Sequence, residues 1–287
     1  MRALFKGVIG RPIPVRLARI WMEIVTATTL PARGTHRERG VWGVIGERVT
    51  RRDAQPGRAL LYLHGGGYTL GSPNTHKVLT THFAAVADCE VLAPDYRLAP
   101  EHPYPAAMED AISAYRALLD RFPARRIGIG GDSAGGGLAL STVLALRDAG
   151  LPAPAALLLI SPWVDLTLSG ASVETQAQHD PLLSRDWLTR AAEAYRGTVA
   201  PNDTQVSPLF ADLRGLPPTL IQVGSDEILL DDARRLAECA KAAGVEVTLE
   251  IEAGYWHDFQ VHARMLDASD AAIARISNFL DHHWIRP

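Results

Sequence analysis

The most constraining part of the sequence is the stretch Arg126–Leu140, which reads RIGIGGDSAGGGLAL. Ile127 and Ile129 indicate a strand, and the glycines that follow indicate a tight turn into a helix. Gly131–Gly135 fits G-x-S-x-G, in which a serine stands on a strained strand-to-helix turn with its hydroxyl exposed. The glycines are expected to supply positive φ angles and to leave room where a Cβ would clash. The pattern indicates Ser133 as a nucleophile.

A glycine-rich turn that binds phosphate is the alternative interpretation of this stretch. Against it, Ser133 occupies the place of the third glycine in a dinucleotide fingerprint that would start at Gly128. No Gly-Lys-Ser/Thr follows either.

Composition narrows the class of protein. The 287 residues allow one large α/β domain or two small ones, and a formal net charge of -3 offers no electrostatic footprint for nucleic acid. Cys89 and Cys239 form no disulfide framework, and Cys89 is expected to be a buried free thiol in a reducing compartment. The apolar segment 17–30 contains charges, and no uncharged apolar run is long enough to cross a bilayer. We therefore expect a soluble, cytoplasmic protein without nucleic-acid or membrane partners.

A second glycine motif, HGGGY at His64–Tyr68, follows the predicted strand Ala59–Leu63. Three glycines after a strand leave bare N–H groups, which acyl transfer requires about 3 Å from the developing oxyanion. The predicted donors are Gly65, Gly66 and Gly67, together with Ala134 after the nucleophile. A flexible turn is the alternative. His64 is expected to brace this loop and not to act as a base.

The rest of the chain alternates strands and helices. Residues 1–40 have helical apolar spacing and precede the first predicted strand, Trp42–Val49, so we expect them outside the sheet. Further predicted strands and helices alternate, which favours a doubly wound parallel sheet. The strands are 59–63, 90–93, the strand of Ile127 and Ile129 that leads into the turn at Ser133 (the elbow), 155–160, 218–223 and 245–251, and the helices are 75–87, 106–121, 138–149, 184–195 and 231–243. A polar stretch, 166–210, interrupts this alternation.

A serine nucleophile needs a general base and a group that orients the base. His257 follows the strand 245–251 and is placed as the base, and Asp226 follows the strand 218–223 and is placed as the acid. Glu227, Asp231 and Asp232 stand as competitors for the acid, although the last two are more simply explained as charges at a helix N-terminus. His102, in the proline-rich loop, is a lesser candidate for the base. The other histidines form no spaced ligand set, so neither a metal nor a cofactor is predicted.

HGGGY, DYRLAPEHPYPA and GDSAGG, in this order, resemble the hormone-sensitive-lipase-like branch of the α/β-hydrolases, called family IV esterases in bacteria. The tail SDEILLDD…AGYWHDF is most similar to small members described as acetyl-hydrolases or ε-lactone hydrolases. The resemblance implies an α/β-hydrolase fold with a mostly parallel sheet of about eight strands in a catalytic domain over 41–287. It implies a helical cap from segments 1–40 and 166–210. It also matches Asp226 to the acid and His257 to the base, although many members have Asp-Pro-Leu where this chain has Asp226-Glu227-Ile228.

The function that the resemblance implies is a cofactor-independent serine carboxylesterase for short- to medium-chain acyl esters. It would act through Ser133, His257 and Asp226 and an acyl-enzyme. A lactone or amide hydrolase with the same triad is one alternative. A non-catalytic ligand-binding protein on this fold is another, as in the plant gibberellin receptors, which lack the histidine. A homodimer through the last strand and helix is a family-level expectation. The residues expected to bind substrate are Tyr68, Asp132, Leu182, Trp187 and Tyr195.

Overall fold

A single eight-stranded sheet organises the molecule. The computed structural model describes residue 6, residues 13–54 and residues 56–284. The strands are β1 (Thr35–Trp42), β2 (Val44–Arg51), β3 (Ala59–Leu63), β4 (Glu90–Pro94), β5 (Ile127–Asp132), β6 (Ala156–Ile160), β7 (Thr219–Gly224) and β8 (Val247–Glu252). Their order in the sheet is β1-β2-β4-β3-β5-β6-β7-β8. The pairs β1–β2 and β2–β4 are antiparallel, and the remaining neighbours are parallel. The predicted α/β-hydrolase fold is confirmed.

Helices cover both faces of this sheet. Every residue of β3 to β7 is buried, as in strands that are covered on both faces, and their sequences are mostly apolar or glycine. The helices are α1 (Val15–Thr26), α2 (Lys77–Val86), α3 (Ala106–Leu119), α4 (Ala134–Asp148), α5 (Ser172–Thr175), α6 (Arg185–Arg196), α7 (Leu230–Ala242) and α8 (Asp267–His283). One hydrophobic core contains residues of α2 and α8, and the other contains residues of α3, α4 and α7.

The first hairpin departs from the sequence prediction. Trp42–Val49 was expected to be one strand, but the chain turns at Gly43, whose φ is 74°, and Trp42 pairs with Val44. Residues 35–40, which the prediction placed in the cap segment, therefore belong to the sheet. β1 lies at the sheet edge, and its charged residues pair with β2, as Arg37 does with Glu47 at 2.7 Å. These charges hide the apolar alternation on which the prediction depended.

Helix α1 lies outside the sheet, and Arg19 makes several of its contacts with the rest of the molecule. Arg19 donates from Nε to the carbonyl oxygen of Thr69 (2.8 Å) and from Nη2 to that of Ala99 (2.9 Å), and it pairs with Glu101 at 2.7 Å. These contacts join α1 to the loop that follows the glycine motif and to the proline-rich loop. The rest of the predicted N-terminal cap, residues 1–5 and 7–12, lies outside the described residues.

Two further sequence expectations concern the cysteines and membrane spans. Cys89 is a buried free thiol, as predicted, and Cys239 is free and exposed. Within the described part of the chain, no helix has both the length and the apolar character that a bilayer span requires.

Candidate active site

Ser133 stands at the turn between β5 and α4. Its backbone has φ 53° and ψ −121°, a conformation that costs a non-glycine residue energy and recurs at functional sites. Its N–H donates to the carbonyl oxygen of Ile160 (2.8 Å), and its own carbonyl accepts from the N–H groups of Trp163 (2.9 Å) and Gly137 (3.1 Å). The surrounding backbone thus holds the serine in its strained conformation.

The glycines on either side of Ser133 serve to avoid steric overlap. A Cβ on Gly131 would overlap the backbone of Gly135, and a Cβ on Gly135 would overlap the carbonyl oxygen of Leu63. Neither glycine has a positive φ; in this turn it is Ser133 itself that adopts one. The steric part of the prediction is therefore right, and the part that assigned positive φ to the glycines is wrong.

His257 is held by Glu227, and not by Asp226. The Oε2 atom of Glu227 lies 2.6 Å from Nδ1 of His257, and both side chains are buried. The Oε1 atom of Glu227 accepts from the N–H of Gly224 (2.6 Å) and from the hydroxyl of Ser161 (2.8 Å). Glu227 is thereby fixed at three points, as an orienting carboxylate must be.

The assignment of the acid to Asp226 is therefore corrected. Asp226 is half-buried, its N–H donates to the carbonyl oxygen of Tyr255 (2.9 Å), and its carboxylate accepts from the hydroxyl of Ser225 (2.7 Å). Family resemblance pointed to the first acidic residue after β7, but the turn directs the second, longer side chain toward the histidine. The sequence signal for this was the Asp-Glu pair in place of Asp-Pro.

The other two competitors for the acid bind backbone N–H groups of the segment that follows β6. Asp232 is fully buried, and its Oδ2 accepts from the N–H groups of Val164 (2.9 Å) and Asp165 (3.0 Å). Asp231 accepts from the N–H of Ser172 (2.8 Å). Both lie in the first turn of α7, as predicted, and both also accept hydrogen bonds from other segments of the chain.

The second nitrogen of His257 also faces a carboxylate. Its Nε2 lies 3.0 Å from Oδ2 of Asp258, the next residue, which has a left-handed backbone with φ 54°. Burial alone would lower the pKa of His257, but the carboxylates of Asp258 and Glu227 outweigh this effect and raise the pKa well above its ordinary value. Burial raises the pKa of Asp258 as well. Sequence reasoning did not identify Asp258; its position beside the predicted base was the available signal.

The glycine loop after β3 lies against the elbow. A Cβ on Gly65 would overlap Oδ2 of Asp132. A residue larger than glycine at this position would therefore keep the loop from lying so close to β5. Gly66 lines the same cavity as Ser133, and its carbonyl oxygen accepts from Leu70 N–H (2.9 Å), which closes the turn. Gly67 faces the ring of Trp187.

A cluster of buried polar and aromatic side chains lies next to the glycine loop. Asp132 accepts from the hydroxyl of Tyr62 (2.8 Å), and its Oδ2 lies 3.1 Å from Nε2 of His76. Burial alone would lower the pKa of His76, but the Asp132 carboxylate outweighs this effect and raises it. The ring of His64 stacks on that of Tyr96 with centroids 4.2 Å apart.

His64 has the bracing role that the sequence predicted. Its Nδ1 lies 2.8 Å from the carbonyl oxygen of Gly65, and Tyr96 donates to the carbonyl oxygen of His64 (2.7 Å). Burial, assisted by the neighbouring His76, lowers the pKa of His64 to about 3. His64 is therefore neutral and structural.

Ser133 and His257 line one cavity of about 190 Å³. Of the residues predicted to bind substrate, Asp132, Leu182 and Trp187 line it. Tyr68 and Tyr195 do not: both are buried and stack on each other with centroids 3.6 Å apart. The remaining wall is mainly apolar. It includes Met22 and Val25 from α1, Leu70 from the loop after β3, Leu183 from the segment before α6, and Val261 and Met265 from the segment after β8.

Asp180 connects the 166–210 segment to the loop that carries Glu227. Its Oδ1 accepts from the N–H groups of Leu182 and Leu183 (2.8 Å each), and its Oδ2 accepts from that of Ile228 (3.0 Å). Asp180 is fully buried. This carboxylate therefore fixes the apolar wall of the cavity relative to the residue that follows Glu227.

The strand order, the serine elbow and the histidine–carboxylate pair together define an α/β hydrolase. A model of the alpha/beta hydrolase fold matches residues 60–261. The acetyl-hydrolase of Streptomyces hygroscopicus is 48% identical over 227 residues, which are 79% of this chain and 76% of that protein. An esterase of Acinetobacter venetianus is 40% identical over 271 residues, which are 94% of this chain and 87% of that protein.

Solved structures agree with these relatives. The crystal structure of an esterase from the bacterial hormone-sensitive lipase family superposes with a TM-score of 0.95 at 41% identity, covering 99% of this chain and 97% of that chain. The chain belongs to the α/β-hydrolase fold family, in its bacterial hormone-sensitive lipase group, and it is a carboxylic ester hydrolase. The alternative of a non-catalytic binding protein is set aside.

Within the described residues, no cluster of histidine, cysteine and carboxylate side chains could hold a metal ion.

Proposed function

We propose that the protein is a serine carboxylesterase for short- to medium-chain acyl esters, with Ser133, His257 and Glu227 as its catalytic triad. The observation that carries the proposal is the 2.6 Å contact between Glu227 and Nδ1 of His257, beside a cavity that Ser133 also lines. A buried carboxylate at Nδ1 keeps that nitrogen protonated, so the lone pair of the neutral ring is at Nε2, where a base needs it.

Each step of the reaction can be assigned to a residue. The Oγ atom of Ser133 attacks the ester carbonyl carbon while its proton passes to Nε2 of His257, and Glu227 stabilises the imidazolium that forms. The tetrahedral intermediate collapses as His257 returns the proton to the leaving alkoxide, which departs as an alcohol. Water then attacks the acyl-enzyme in the same way and releases the acid. No cofactor takes part in these steps.

The oxyanion of the intermediate would be held by backbone N–H groups. Ala134 is the first residue of α4, where an N–H has no partner inside the helix. Gly65, Gly66 and Gly67 supply the other candidates, and Gly66 lines the cavity. Loss of one such donor typically reduces kcat by about 10²–10³-fold.

The cavity supports a small acyl group. Its volume of about 190 Å³ is below the range of roughly 300–1,000 Å³ that is typical of pockets for drug-sized ligands. Its mainly apolar wall suits an alkyl chain. We therefore expect the highest kcat/KM for short p-nitrophenyl esters, with a decline toward long chains.

A p-nitrophenyl ester series from C2 to C12, measured with the wild type and with Ser133→Ala, tests this function. The wild type should turn over the short esters, and the variant should lose about 10⁴–10⁶-fold of kcat. Labelling of wild-type Ser133 by a fluorophosphonate, absent in Ser133→Ala, is the matched control. If the labelled enzyme hydrolyses a lactone or an amide and not the esters, the triad is supported and the substrate class is wrong. Equal activity of the two proteins would overturn the proposal.

A further inference from the structure

The imidazole of His257 lies between two carboxylates, which is one more than the reaction needs. Glu227 is at Nδ1 (2.6 Å), and Asp258 is at Nε2 (3.0 Å). Nε2 is the nitrogen that must receive the proton of Ser133. When it donates to Asp258, its lone pair is not available for that proton.

Asp258 is built into the site. Its left-handed backbone directs its side chain back toward the ring, and its N–H donates to the hydroxyl of Ser161 (3.2 Å), which in turn donates to Glu227. Ser161 thus links the backbone of Asp258 to the carboxylate of Glu227. Asp258 also lines the cavity, and its buried Oδ1 atom has no hydrogen-bond partner among the residues that the structure describes.

We propose that Asp258 is a positioning residue that holds Nε2 of His257 in the resting enzyme and releases it to Ser133 for acylation. The proposal rests on the function proposed above. In the resting arrangement the ring is an imidazolium whose two N–H groups donate to Glu227 and Asp258. Loss of the Nε2 proton to solvent leaves a neutral ring, and its lone pair then faces an acceptor oxygen. That contact is repulsive, so Nε2 turns toward the hydroxyl of Ser133.

The other charged groups near His257 and Asp258 do not replace the contact between these two side chains. Asp132 lies close enough to raise the pKa of Asp258, and Asp258 in turn raises the pKa of His76. None of the hydrogen bonds of the described residues joins these groups to the ring of His257. The groups that face His257 and Asp258 from the packed elements are Glu227 from the loop after β7, Asp132 from β5, Tyr62 from β3 and His76 before α2.

The consequence is a displaced pH profile. Because two carboxylates favour the imidazolium, the wild-type enzyme needs a higher pH to free Nε2, and kcat/KM should rise with pH above the ordinary range of histidine. Asp258→Asn removes one charge and tolerates the left-handed backbone, and Asp258→Gly removes the side chain and tolerates it too. In both variants the acid limb of kcat/KM should move to lower pH by about one to three units. At a pH where kcat/KM is still rising in both the wild type and the variant, a downward shift of the acid limb by one pH unit raises kcat/KM tenfold.

Two measurements separate this idea from a structural role. The first is the pH profile of kcat/KM for the wild type, Asp258→Asn, Asp258→Gly and the control Asp226→Asn, whose carboxylate is in the neighbouring loop and contacts Ser225. The second is a titration of the His257 ring by 15N NMR in histidine-labelled Ser133→Ala protein, with the signal assigned by its loss in His257→Gln. This titration needs no turnover, so it reports on Asp258 independently of substrate.

The expected result is a downward shift of the limb and of the His257 titration in both Asp258 variants, with the control unshifted. If both stay at the wild-type pH in both variants, the proposal for Asp258 is wrong, while an inactive Ser133→Ala still supports the triad. Retained activity in Ser133→Ala would overturn the triad and the Asp258 proposal together.

Discussion

Glu227 contacts Nδ1 of His257 at 2.6 Å, although Asp226 directly precedes it in the chain. Asp226 instead accepts a hydrogen bond from Ser225. This one-residue difference decides which carboxylate contacts His257, and it leads to the first prediction.

Glu227→Gln should reduce kcat by about 10³–10⁴-fold, while Asp226→Asn should change it by about twofold or less. The glutamine oxygen can still accept from Gly224 and Ser161, but its amide N–H₂ would then face Nδ1. That nitrogen would have to become an acceptor, and the proton would move to Nε2, where it blocks the base. Steady-state kinetics on a short p-nitrophenyl ester measures both variants. A larger loss in Asp226→Asn than in Glu227→Gln would contradict the prediction.

Gly65→Ala should lower kcat by about 10²–10³-fold, because its Cβ would overlap the Asp132 carboxylate and push the oxyanion loop away from Ser133. The matched control is Gly57→Ala, whose Cβ would make only an ordinary contact of 3.7 Å with Arg126. Thermal unfolding, measured beside the kinetics, shows whether the fold survives. Wild-type kcat in Gly65→Ala would mean that the loop can shift without cost to catalysis.

Asp232→Asn should become more stable relative to the wild type as the pH rises from about 4 to 8. Burial raises the pKa of Asp232 to about 8, and within the described part of the chain its Oδ1 atom has no hydrogen-bond partner. A protein in which folding raises the pKa of an acid becomes less stable as the pH rises from the unfolded-state pKa, near 3.9, to the folded-state pKa. The free energy of unfolding falls by at most about 1.4 kcal/mol per pH unit over this range. The asparagine oxygen can accept from Val164 and Asp165 without this loss. Unfolding midpoints of both proteins across this range measure it, and a difference that does not change with pH would contradict it.

Trp187→Ala should shift the preferred acyl chain toward longer esters. Trp187 and Leu70 line both the catalytic cavity and a second cavity of about 420 Å³ beside α1 and α6. Removing the indole would open one cavity to the other and admit a longer chain. The ratio of kcat/KM for C8 and C4 p-nitrophenyl esters measures the shift. Phe210→Ala, at an exposed site outside both cavities, is the control. An unchanged ratio in Trp187→Ala would place the acyl chain elsewhere.

Several features of the fold could be predicted because local patterns carry them. The strands β3 and β6 are continuous apolar runs bounded by turn residues, and the predicted and observed bounds of β3 are the same. The elbow around Ser133 and the loop of Gly65, Gly66 and Gly67 are contiguous motifs with steric reasons that hold in the structure. The first hairpin was misjudged because an exposed edge strand shows charges where an inner strand shows apolar residues.

The pocket was predicted less well than the motifs. Leu182 and Trp187 line the cavity, but the rings of Tyr68 and Tyr195 stack on each other instead. Which face of an aromatic residue is used depends on packing between distant segments, which local sequence does not encode. The same holds for Asp180, whose carboxylate joins two segments 48 residues apart.

By itself, the sequence determined the fold class, and it marked Ser133 and His257 as the candidate nucleophile and base, because contiguous residues carry each of these signals. Only the tertiary structure decided between Asp226 and Glu227 and placed Asp258 at the second nitrogen of the base. The physical reason is that neighbouring side chains leave a turn in different directions. The contact each one makes is set by the turn geometry and by distant partners such as Ser161 and Gly224, and not by its position in the chain.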